Sequence, residues 1–352
     1  MKEIIVISDA HLSSSWDEIE KALPRDYEFL NPNYWFKKTV ETVKNNQILV
    51  LNGDTVDYFL ADYDGEGNAS NWGIFNRTIK TCKGVVFLTL GNHDYHARPY
   101  NYSIYGLNHV HIPYKIRRQH KPKIGHHKFR FLKEWESMKV DFNWFNPLQN
   151  YKFEHFYTAK NGKELLVFLD SGPEALSIFK NWLNPGNWIP MIAGTAGRGL
   201  GPDQINFLQK TLETAPEREI IIFVHCPPLF LRGPFAEIPL SGSFLANLMR
   251  QAIIESKFVQ NNMCFLESLV TSDKNILLVS GHTHTPANFL IDKEARSIRK
   301  TDIEQINDAR YDKRYVKFIS ALPLGACDNP NRENGFLKIG ERIEHKVLKR
   351  FP

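Results

Sequence analysis

The chain has 352 residues, of which 42% are hydrophobic and 24% charged, with a mean hydropathy of -0.37 and a formal net charge of +5. These values are typical of a globular protein and exclude a disordered, collagen-like or coiled-coil structure for the chain as a whole. No apolar run reaches the roughly 18 residues that a membrane-spanning helix needs, so no membrane span is predicted.

The N-terminal apolar run, residues 4–7, is too short for the hydrophobic region of a signal peptide, and no small-residue cleavage site follows it. A cytoplasmic location is therefore expected. The four cysteines are far apart and form no CxxC pair, which argues against a disulfide framework and against a thiolate zinc site. Buried or half-buried thiols are expected at Cys82, Cys226, Cys264 and Cys327.

Six short apolar runs rich in β-branched residues predict buried strands. They span residues 4–7, 48–51, 85–88, 165–169, 220–224 and 276–279. Helical patterns lie between several of them, at 33–44, 71–81, 202–214 and 244–256. This alternation predicts an α/β fold with helices over a largely buried sheet. Three later strand patterns, at 316–320, 335–339 and 343–348, are expected to be antiparallel.

Two regions interrupt this rhythm within what is predicted to be a single domain, residues 1–352. Residues 96–150 are basic, aromatic and turn-rich, and are predicted to form an insertion or cap. Between Tyr95 and Lys133 there are nine Lys or Arg and six His but no Asp or Glu, which favours an anionic partner. Residues 183–201 form a long glycine-containing loop, and such loops in a compact domain are more often functional than idle.

Polar side chains follow five of the six predicted strands, at the point where ligands bind in open α/β sheets. The side chains that this places at one sheet edge are Asp9, His11, Asp54, Asn92, His93, His225, His282 and His284. Imidazole nitrogens combined with carboxylate and amide oxygens suit Mn, Fe, Zn or Co. Because eight groups exceed what one ion needs, two divalent or trivalent metal ions sharing a bridging carboxylate are expected.

These residues stand in five motifs in chain order. The motifs are Asp9-Ala10-His11, Gly53-Asp54-Thr55-Val56-Asp57, Gly91-Asn92-His93-Asp94, His225 and Gly281-His282-Thr283-His284. The pattern resembles the calcineurin-like metallophosphoesterase superfamily over residues 4–285, with no counterpart for 96–150. The resemblance implies a four-layer sandwich of two mixed β-sheets flanked by helices, in place of a purely parallel sheet.

The resemblance also implies a role for each matched residue. One metal site would be formed by Asp9, His11, Asp54 and His284. The other would be formed by Asp54, Asn92, His225 and His282, with Asp54 as the bridge. His93 would contact the phosphate or protonate the leaving oxygen, oriented by Asp57, with Asp94 as a further candidate for that orienting role. The implied enzyme is a dinuclear metal-dependent phosphoesterase in which metal-activated hydroxide attacks phosphorus.

The substrate is less narrowly specified than the chemistry. Asp170-Ser171 and residues 199–212 resemble the cyclic-nucleotide and small-substrate phosphodiesterases of the superfamily, which favours a phosphodiester or phosphomonoester of a small soluble, nucleotide-like compound. Residues 8–13, 53–59 and 281–286 resemble the UDP-diacylglucosamine pyrophosphatases, although that group usually replaces the histidine found here as His93. A nuclease is a further alternative.

The candidate substrate contacts are Asn92, His93, His96 and Arg198. The basic segment could hold a second phosphate and its tyrosines could stack a base, whereas the alternative is a solvated basic face. Two hypotheses without catalysis compete with the enzyme. A binding scaffold on the same fold would have lost metal ligands, and none is lost. A nucleic-acid-binding protein would lose affinity steeply with salt and keep it after metal removal.

Overall fold

The computed structural model describes residues 1–13, 16, 31–56, 71–94, 156–172, 197–231, 238–239, 254–255, 258–325 and 333–349. The predicted insertion at 96–150 lies outside these residues, as does most of the loop at 183–201. The single-domain organisation and the insertion therefore stay predictions.

The described residues contain 17 strands and five helices. The strands are β1 (Glu3–Ile7), β2 (Gln47–Asn52), β3 (Val85–Thr89), β4 (Tyr157–Asn161), β5 (Glu164–Leu169), β6 (Gly197–Gly199), β7 (Glu219–Val224), β8 (Phe230–Leu231), β9 (Ile238–Pro239), β10 (Ile254–Glu255), β11 (Phe258–Gln260), β12 (Asn275–Ser280), β13 (Ala287–Asp292), β14 (Ser297–Thr301), β15 (Tyr315–Ser320), β16 (Asn334–Ile339) and β17 (Ile343–Lys349). The helices are α1 (Pro32–Thr42), α2 (Asn71–Ile79), α3 (Pro202–Thr214), α4 (Asn262–Thr271) and α5 (Ile303–Asp308).

Two mixed sheets form the centre of the fold. The smaller has the order β17-β16-β1-β2-β3, in which β1, β2 and β3 are parallel, β16 is antiparallel to β1, and β17 is antiparallel to β16. The larger has the order β4-β5-β7-β12-β15-β13-β14-β9. Its strands β5, β7, β12 and β15 are parallel, and every other neighbouring pair in this sheet is antiparallel. Two sheets of this kind confirm the mixed topology that the family resemblance implies.

Apolar side chains fill three layers around these sheets. Between the sheets, the rings of Phe168 and Phe223 stack with their centroids 5.1 Å apart. Phe36 of α1 is buried against the outer face of the smaller sheet. Leu208 of α3 and Leu269 of α4 are buried against the outer face of the larger sheet. Burying each such side chain contributes about 1.5–3 kcal/mol, so the helix–sheet–sheet–helix arrangement is stabilised by three apolar interfaces.

Local signals explain where several helices begin. The side chain of Asn31 accepts a hydrogen bond from the amide of Asn33 at 2.9 Å, and Pro32 follows at the first helical position of α1. The side chain of Asp302 accepts a hydrogen bond from the amide of Gln305 at 2.7 Å at the start of α5. Helix α3 likewise begins with proline, at Pro202.

All six predicted strands are confirmed as β1, β2, β3, β5, β7 and β12, and the predicted helix at 202–214 matches α3. The later strand patterns correspond to β15, β16 and β17. Of these, β16 and β17 pair antiparallel as expected, but β15 runs parallel to β12 and is antiparallel only to β13.

One predicted helix is wrong at its described end. The pattern at 244–256 ends in Ile254–Glu255, which pairs as a strand with β8. Pairing with a distant strand overrides the local helical pattern there. No helix among the described residues is both long enough and apolar enough to cross a lipid bilayer.

Candidate metal centre

The carboxyl ends of five strands bring the sequence-predicted residues to one edge of the sandwich. Asp9 follows β1, Asp54 follows β2 and Asn92 follows β3 in the smaller sheet. His225 follows β7 and His282 follows β12 in the larger sheet. The candidate centre therefore lies where the two sheets meet, with donors from both.

Backbone hydrogen bonds fix the turns that carry these side chains. The amide of Asp9 donates to the carbonyl of Gly53 at 3.1 Å, and the amide of His11 donates to the carbonyl of Asp54 at 2.9 Å. In the larger sheet, the amide of Gly281 donates to the carbonyl of His225 at 2.9 Å. Backbone hydrogen bonds alone therefore join each of these turns to its neighbour.

Left-handed backbone is concentrated at the predicted ligands. Seven described residues other than glycine have positive φ, and five of them are predicted ligands: Asp9 (53°), His11 (49°), Asp54 (48°), His282 (68°) and His284 (50°). Positive φ is uncommon outside glycine and costs of order 1–3 kcal/mol in unfavourable cases. This conformation, repeated at alternate residues of both His-containing turns, lets Asp9 and His11, and likewise His282 and His284, face one crevice.

Three motif glycines allow the turns to approach each other closely. A Cβ atom at Gly91 would overlap the amide nitrogen and Oδ1 of Asp54, and one at Gly281 would overlap Oγ of Ser8. Gly53 has a φ of 80°, and its Cβ would lie 2.5 Å from the ring of His225. Only glycine fits these three positions without displacing a predicted ligand or the turn that holds it.

A first cluster of donors comes from the turns after β1, β2 and β12. Its members are Asp9, His11, Asp54 and His284, whose donor atoms all lie within 4.8 Å of one another. Nε2 of His284 lies 3.1 Å from Nε2 of His11 and 3.3 Å from Oδ1 of Asp9. These are the four residues that the resemblance assigns to one metal site.

A second group lies on the other side of Asp54. Oδ2 of Asp54 is 2.9 Å from Nε2 of His225, and Oδ1 of Asn92 is 2.8 Å from Nδ1 of His282. The structure therefore brings together the four residues assigned to the other site. Asp54 lies in contact with both groups, which is the placement that a bridging carboxylate needs.

Hydrogen bonds to the backbone orient two of these side chains. Nδ1 of His225 donates to the carbonyl of Asn52 at 2.8 Å, so its Nε2 faces Oδ2 of Asp54. The amide of His282 donates to Oδ1 of Asp9 at 2.9 Å. Such supporting bonds fix the tautomer and the ring plane of a ligating histidine.

The donor set fits one or more cations. Nε2 of His225 and Oδ2 of Asp54 are buried and form no hydrogen bond of good geometry with any described residue. Burial raises the pKa of Asp54, but the imidazoles of His225 and His93 lower it well below its usual value. Burial lowers the pKa of His225, but the carboxylates of Asp54 and Asp9 raise it to about 9. A buried carboxylate stays ionised only beside a positive charge, and a bound cation would supply that charge.

His93 lies at the mouth of this centre, with 12% of its side chain exposed. Its amide donates to Oδ1 of Asp54 at 2.8 Å, and its Nε2 lies 3.9 Å from Oδ2 of the same residue. The ring centroids of His93 and His11 are 4.8 Å apart. Asp57, its predicted orienting carboxylate, and His96, a predicted substrate contact, both lie outside the described residues.

Asp94 joins two of the ligand-bearing turns. Its Oδ1 accepts the amide of Val56 at 3.0 Å, and its Oδ2 accepts the amide of Gly91 at 2.8 Å. Asp94 is thus a clamp between these turns, and its suggested role in orienting His93 stays a prediction. Burial, followed by the negative charge of Asp54, raises the pKa of Asp94 to about 7.

Arg198 lies in β6, next to the end of β5. The neighbouring amide of Gly199 donates to the carbonyl of Ser171 at 2.8 Å, and a Cβ at Gly172 would lie 3.0 Å from Nε of Arg198. That Nε is buried and has no hydrogen-bond partner among the described residues. Arg198 therefore packs against the residues that follow β5.

Cys226 is the residue near the centre that the sequence analysis missed. It is buried, as expected of its type, but its Sγ lies 3.7 Å from Oδ1 of Asn92. The donor atoms of His225, Cys226 and His282 all lie within 4.8 Å of one another. The available signal was its position directly after His225.

Cys82 is half-buried as expected, whereas Cys264 is exposed and Cys327 lies outside the described residues.

Comparisons with known proteins agree with the fold and the motifs. The sequence profile of the calcineurin-like phosphoesterase family matches residues 2–286. A search of curated protein sequences finds no match.

Among solved structures, PhoD is 10% identical with a TM-score of 0.54, covering 99% of this chain and 66% of PhoD. The chain thus spans slightly less than two thirds of PhoD, and this likeness supports the fold alone. A dimetal phosphatase from Danio rerio is 14% identical with a TM-score of 0.49, covering 99% of this chain and 97% of the other. A purple acid phosphatase from yellow lupin (Lupinus luteus) seeds is 12% identical with a TM-score of 0.45, covering 98% and 51%.

The family profile spans most of the chain, and it ends just after the last motif of the candidate centre. The chain belongs to the calcineurin-like phosphoesterase family.

Proposed function

We propose that this protein is a dinuclear metal-dependent phosphoesterase that hydrolyses a phosphodiester or phosphomonoester of a small, nucleotide-like substrate. One observation carries the proposal. Two groups of donors, each suited to one ion, come from five different turns and share Asp54 between them. A sandwich fold does not require so many buried imidazoles and carboxylates at one edge, and a pair of metal ions accounts for them.

Each ion would be held by residues from both sheets. Asp9, His11, Asp54 and His284 would hold the first. Asp54, Asn92, His225 and His282 would hold the second. When bound, such a pair lowers the pKa of a shared water and neutralises charge on the phosphoryl oxygens. The mixture of nitrogen and oxygen donors favours Mn, Fe, Zn or Co over Mg or Ca.

His93 would act as the acid for the leaving group. Its amide hydrogen bond to Asp54 fixes its backbone beside the centre, while its ring keeps an exposed edge. As hydroxide attacks phosphorus, a bond forms between the hydroxide oxygen and phosphorus and the bond to the leaving oxygen breaks. A proton from the His93 imidazolium then neutralises the departing alkoxide.

Substrate selection would involve Arg198 and the segment that carries it. Helix α3 begins just after the strand that carries Arg198. Gln204 of α3 fixes this helix to the end of β5 through two hydrogen bonds of 2.9 Å with the backbone of Asp170. Nε of Arg198, which has no hydrogen-bond partner within the described ranges, favours contact with an anionic oxygen of the substrate. This supports a substrate whose phosphate is contacted by Arg198 from the side where β5 and β6 lie.

The test is hydrolysis by metal-stripped protein after addition of Mn, Fe, Zn or Mg. Bis-p-nitrophenyl phosphate and p-nitrophenyl phosphate serve as diester and monoester probes. We expect turnover only with added metal, with Mn, Fe or Zn more effective than Mg, and the ratio of the two rates reports the preferred ester. Absence of turnover with every metal on both probes, in protein that binds two ions, would contradict the proposed activity.

A further inference from the structure

The thiol of Cys226 lies inside the group of donors proposed for the second ion. Its Sγ is buried, lies 3.7 Å from Oδ1 of Asn92, and is within 4.8 Å of the donor atoms of His225 and His282. Cys226 is therefore one of four side chains whose donor atoms surround the same small volume.

These separations match the spacing of ligands on one ion. A thiolate sulfur at about 2.3 Å and an oxygen at about 2.1 Å from a tetrahedral ion lie about 3.6 Å apart. The observed separation between Sγ of Cys226 and Oδ1 of Asn92 is 3.7 Å. A sulfur and a nitrogen bound to one ion lie at most about 4.4 Å apart, and about 3.6 Å apart in a tetrahedral site. The donor atoms of His225, Cys226 and His282, which all lie within 4.8 Å of one another, would therefore have to approach by no more than about 1.2 Å.

The surroundings of Cys226 hold the thiol in this place. Its amide donates to Oγ of Ser171 at 3.3 Å, which fixes the backbone at the end of β7. A Cβ at Gly197 would lie 2.8 Å from Sγ, so a larger residue there would displace the sulfur. The sulfur thus lies close to both Gly197 and Asn92.

A second observation at the same position also indicates a ligand. Nε2 of His225 belongs to a fully buried side chain and makes no hydrogen bond of good geometry in the described part of the chain. His225 therefore brings a buried ring nitrogen without such a hydrogen bond, within the described residues, to the group that contains Cys226, and the thiol is not an isolated cysteine.

We propose that Cys226 supplies a sulfur ligand to the second ion, beside Asn92, His225 and His282. The proposal rests on the dinuclear centre of the proposed function and adds to it a ligand of different chemistry. When the sulfur binds, it releases its proton to solvent and forms a bond to the metal, with no change of oxidation state. Because soft thiolate ligands favour Zn, Co and Fe(II) over Mn and Mg, Cys226 makes the second position selective for the former ions.

Cobalt provides a direct readout of sulfur coordination. The full chain is stripped of metal and titrated with Co²⁺ while the near-ultraviolet and visible spectra and the bound metal are recorded. A sulfur-to-cobalt charge-transfer band in the near-ultraviolet reports a thiolate ligand, independently of any activity. We expect this band in the wild-type protein. Its intensity should increase while one of the two ions binds and not while the other binds.

Variants identify which thiol is responsible. Cys226→Ser is expected to lose the band and to keep two bound cobalt ions, and Cys226→Ala is a second variant should the serine destabilise the fold. Cys264→Ser is the matched control, because Cys264 is exposed and belongs to neither cluster of donor side chains. Its band should be unchanged.

The outcomes separate this proposal from the proposed function. Two bound cobalt ions without the charge-transfer band in the wild type, or a band that persists in Cys226→Ser, would overturn the sulfur ligand and leave the dinuclear centre standing. Failure of the wild-type protein to bind cobalt at all would overturn both.

Discussion

The backbone amide of His93 donates to Oδ1 of Asp54 at 2.8 Å. The carboxylate proposed to bridge two ions therefore also positions the residue proposed to protonate the leaving group. Its other oxygen, Oδ2, lies 2.9 Å from Nε2 of His225. A single side chain thus links the metal centre to the acid, so the geometry of the acid depends on an intact bridge.

His93→Gln tests the acid directly. Loss of a general acid reduces rates by about 10²–10⁴ when the leaving group needs a proton. We expect a loss of this size for an alkyl phosphoester but a much smaller loss for a p-nitrophenyl ester, whose leaving group departs without protonation. Bound metal, measured by elemental analysis, should stay at two ions per chain. Equal losses on both esters would show that His93 does not act as the acid.

Asp94→Ala tests the clamp between two turns. The substitution leaves the buried amides of Val56 and Gly91 without acceptors, and each such group costs about 1–3 kcal/mol. Urea unfolding of the metal-free protein should show this loss, whereas Asp308→Ala, at an exposed aspartate, should change stability by less than about 0.5 kcal/mol. An Asp94→Ala variant as stable as the wild type would contradict the role of clamp.

Gly91→Ala tests the close approach of the turns after β2 and β3. The added methyl group would overlap the amide and carboxylate of Asp54, so the turn must shift and the metal affinity should fall at least tenfold. Gly201→Ala is the matched control, because nothing lies within 4 Å of a Cβ at Gly201. Calorimetric titration with Mn²⁺ compares the two. Unchanged affinity in Gly91→Ala would mean that the turn tolerates a side chain.

We predict that metal affinity continues to increase with pH well above pH 7. The carboxylates of Asp54 and Asp9 outweigh the effect of burial and raise the pKa of His225 to about 9 in the metal-free protein. The ion binds the neutral imidazole, so below this pKa binding must release a proton and affinity must rise with pH. With an unperturbed pKa of about 6.5, the affinity would instead level off near pH 7.

Calorimetry in buffers of different ionisation enthalpy measures this proton release. At pH 7.5 we expect about one proton from His225 for the second ion bound, besides the proton that Cys226 releases. The His225 proton alone makes the affinity for that ion increase up to about tenfold per pH unit until about pH 9. Proton release near zero at pH 7.5, with constant affinity from pH 7 to 9, would contradict the raised pKa.

The strands and the donors of the centre could be read from the sequence because both are local signals. Each of the six apolar runs is short, β-branched and followed at once by polar residues, and the motif order specifies the family. The helical pattern at 244–256 was misleading because the strand pairing of Ile254 with Leu231 depends on a distant partner.

Other features depend on contacts between residues far apart in the chain. The left-handed backbone at Asp9 and His282 is supported by the hydrogen bond that joins them, across 273 residues. The approach of Cys226 to Asn92 spans 134 residues and could not be inferred from the position of one cysteine in the sequence. Local patterns predicted which residues meet at the sheet edge, but not how Asp94 and Cys226 take part there.

If two ions share Asp54 and together hydrolyse the phosphoester, loss of this carboxylate must lower both metal content and rate. Bound metal and turnover of bis-p-nitrophenyl phosphate are recorded in the same metal-reconstituted sample, for the wild type, Asp54→Asn and the exposed control Asp273→Asn. We expect two ions per chain and turnover in the wild type and the control, with a loss of at least one ion and at least about 10³-fold in rate for Asp54→Asn. Full metal content and turnover in Asp54→Asn would show that the centre does not depend on a shared Asp54 carboxylate.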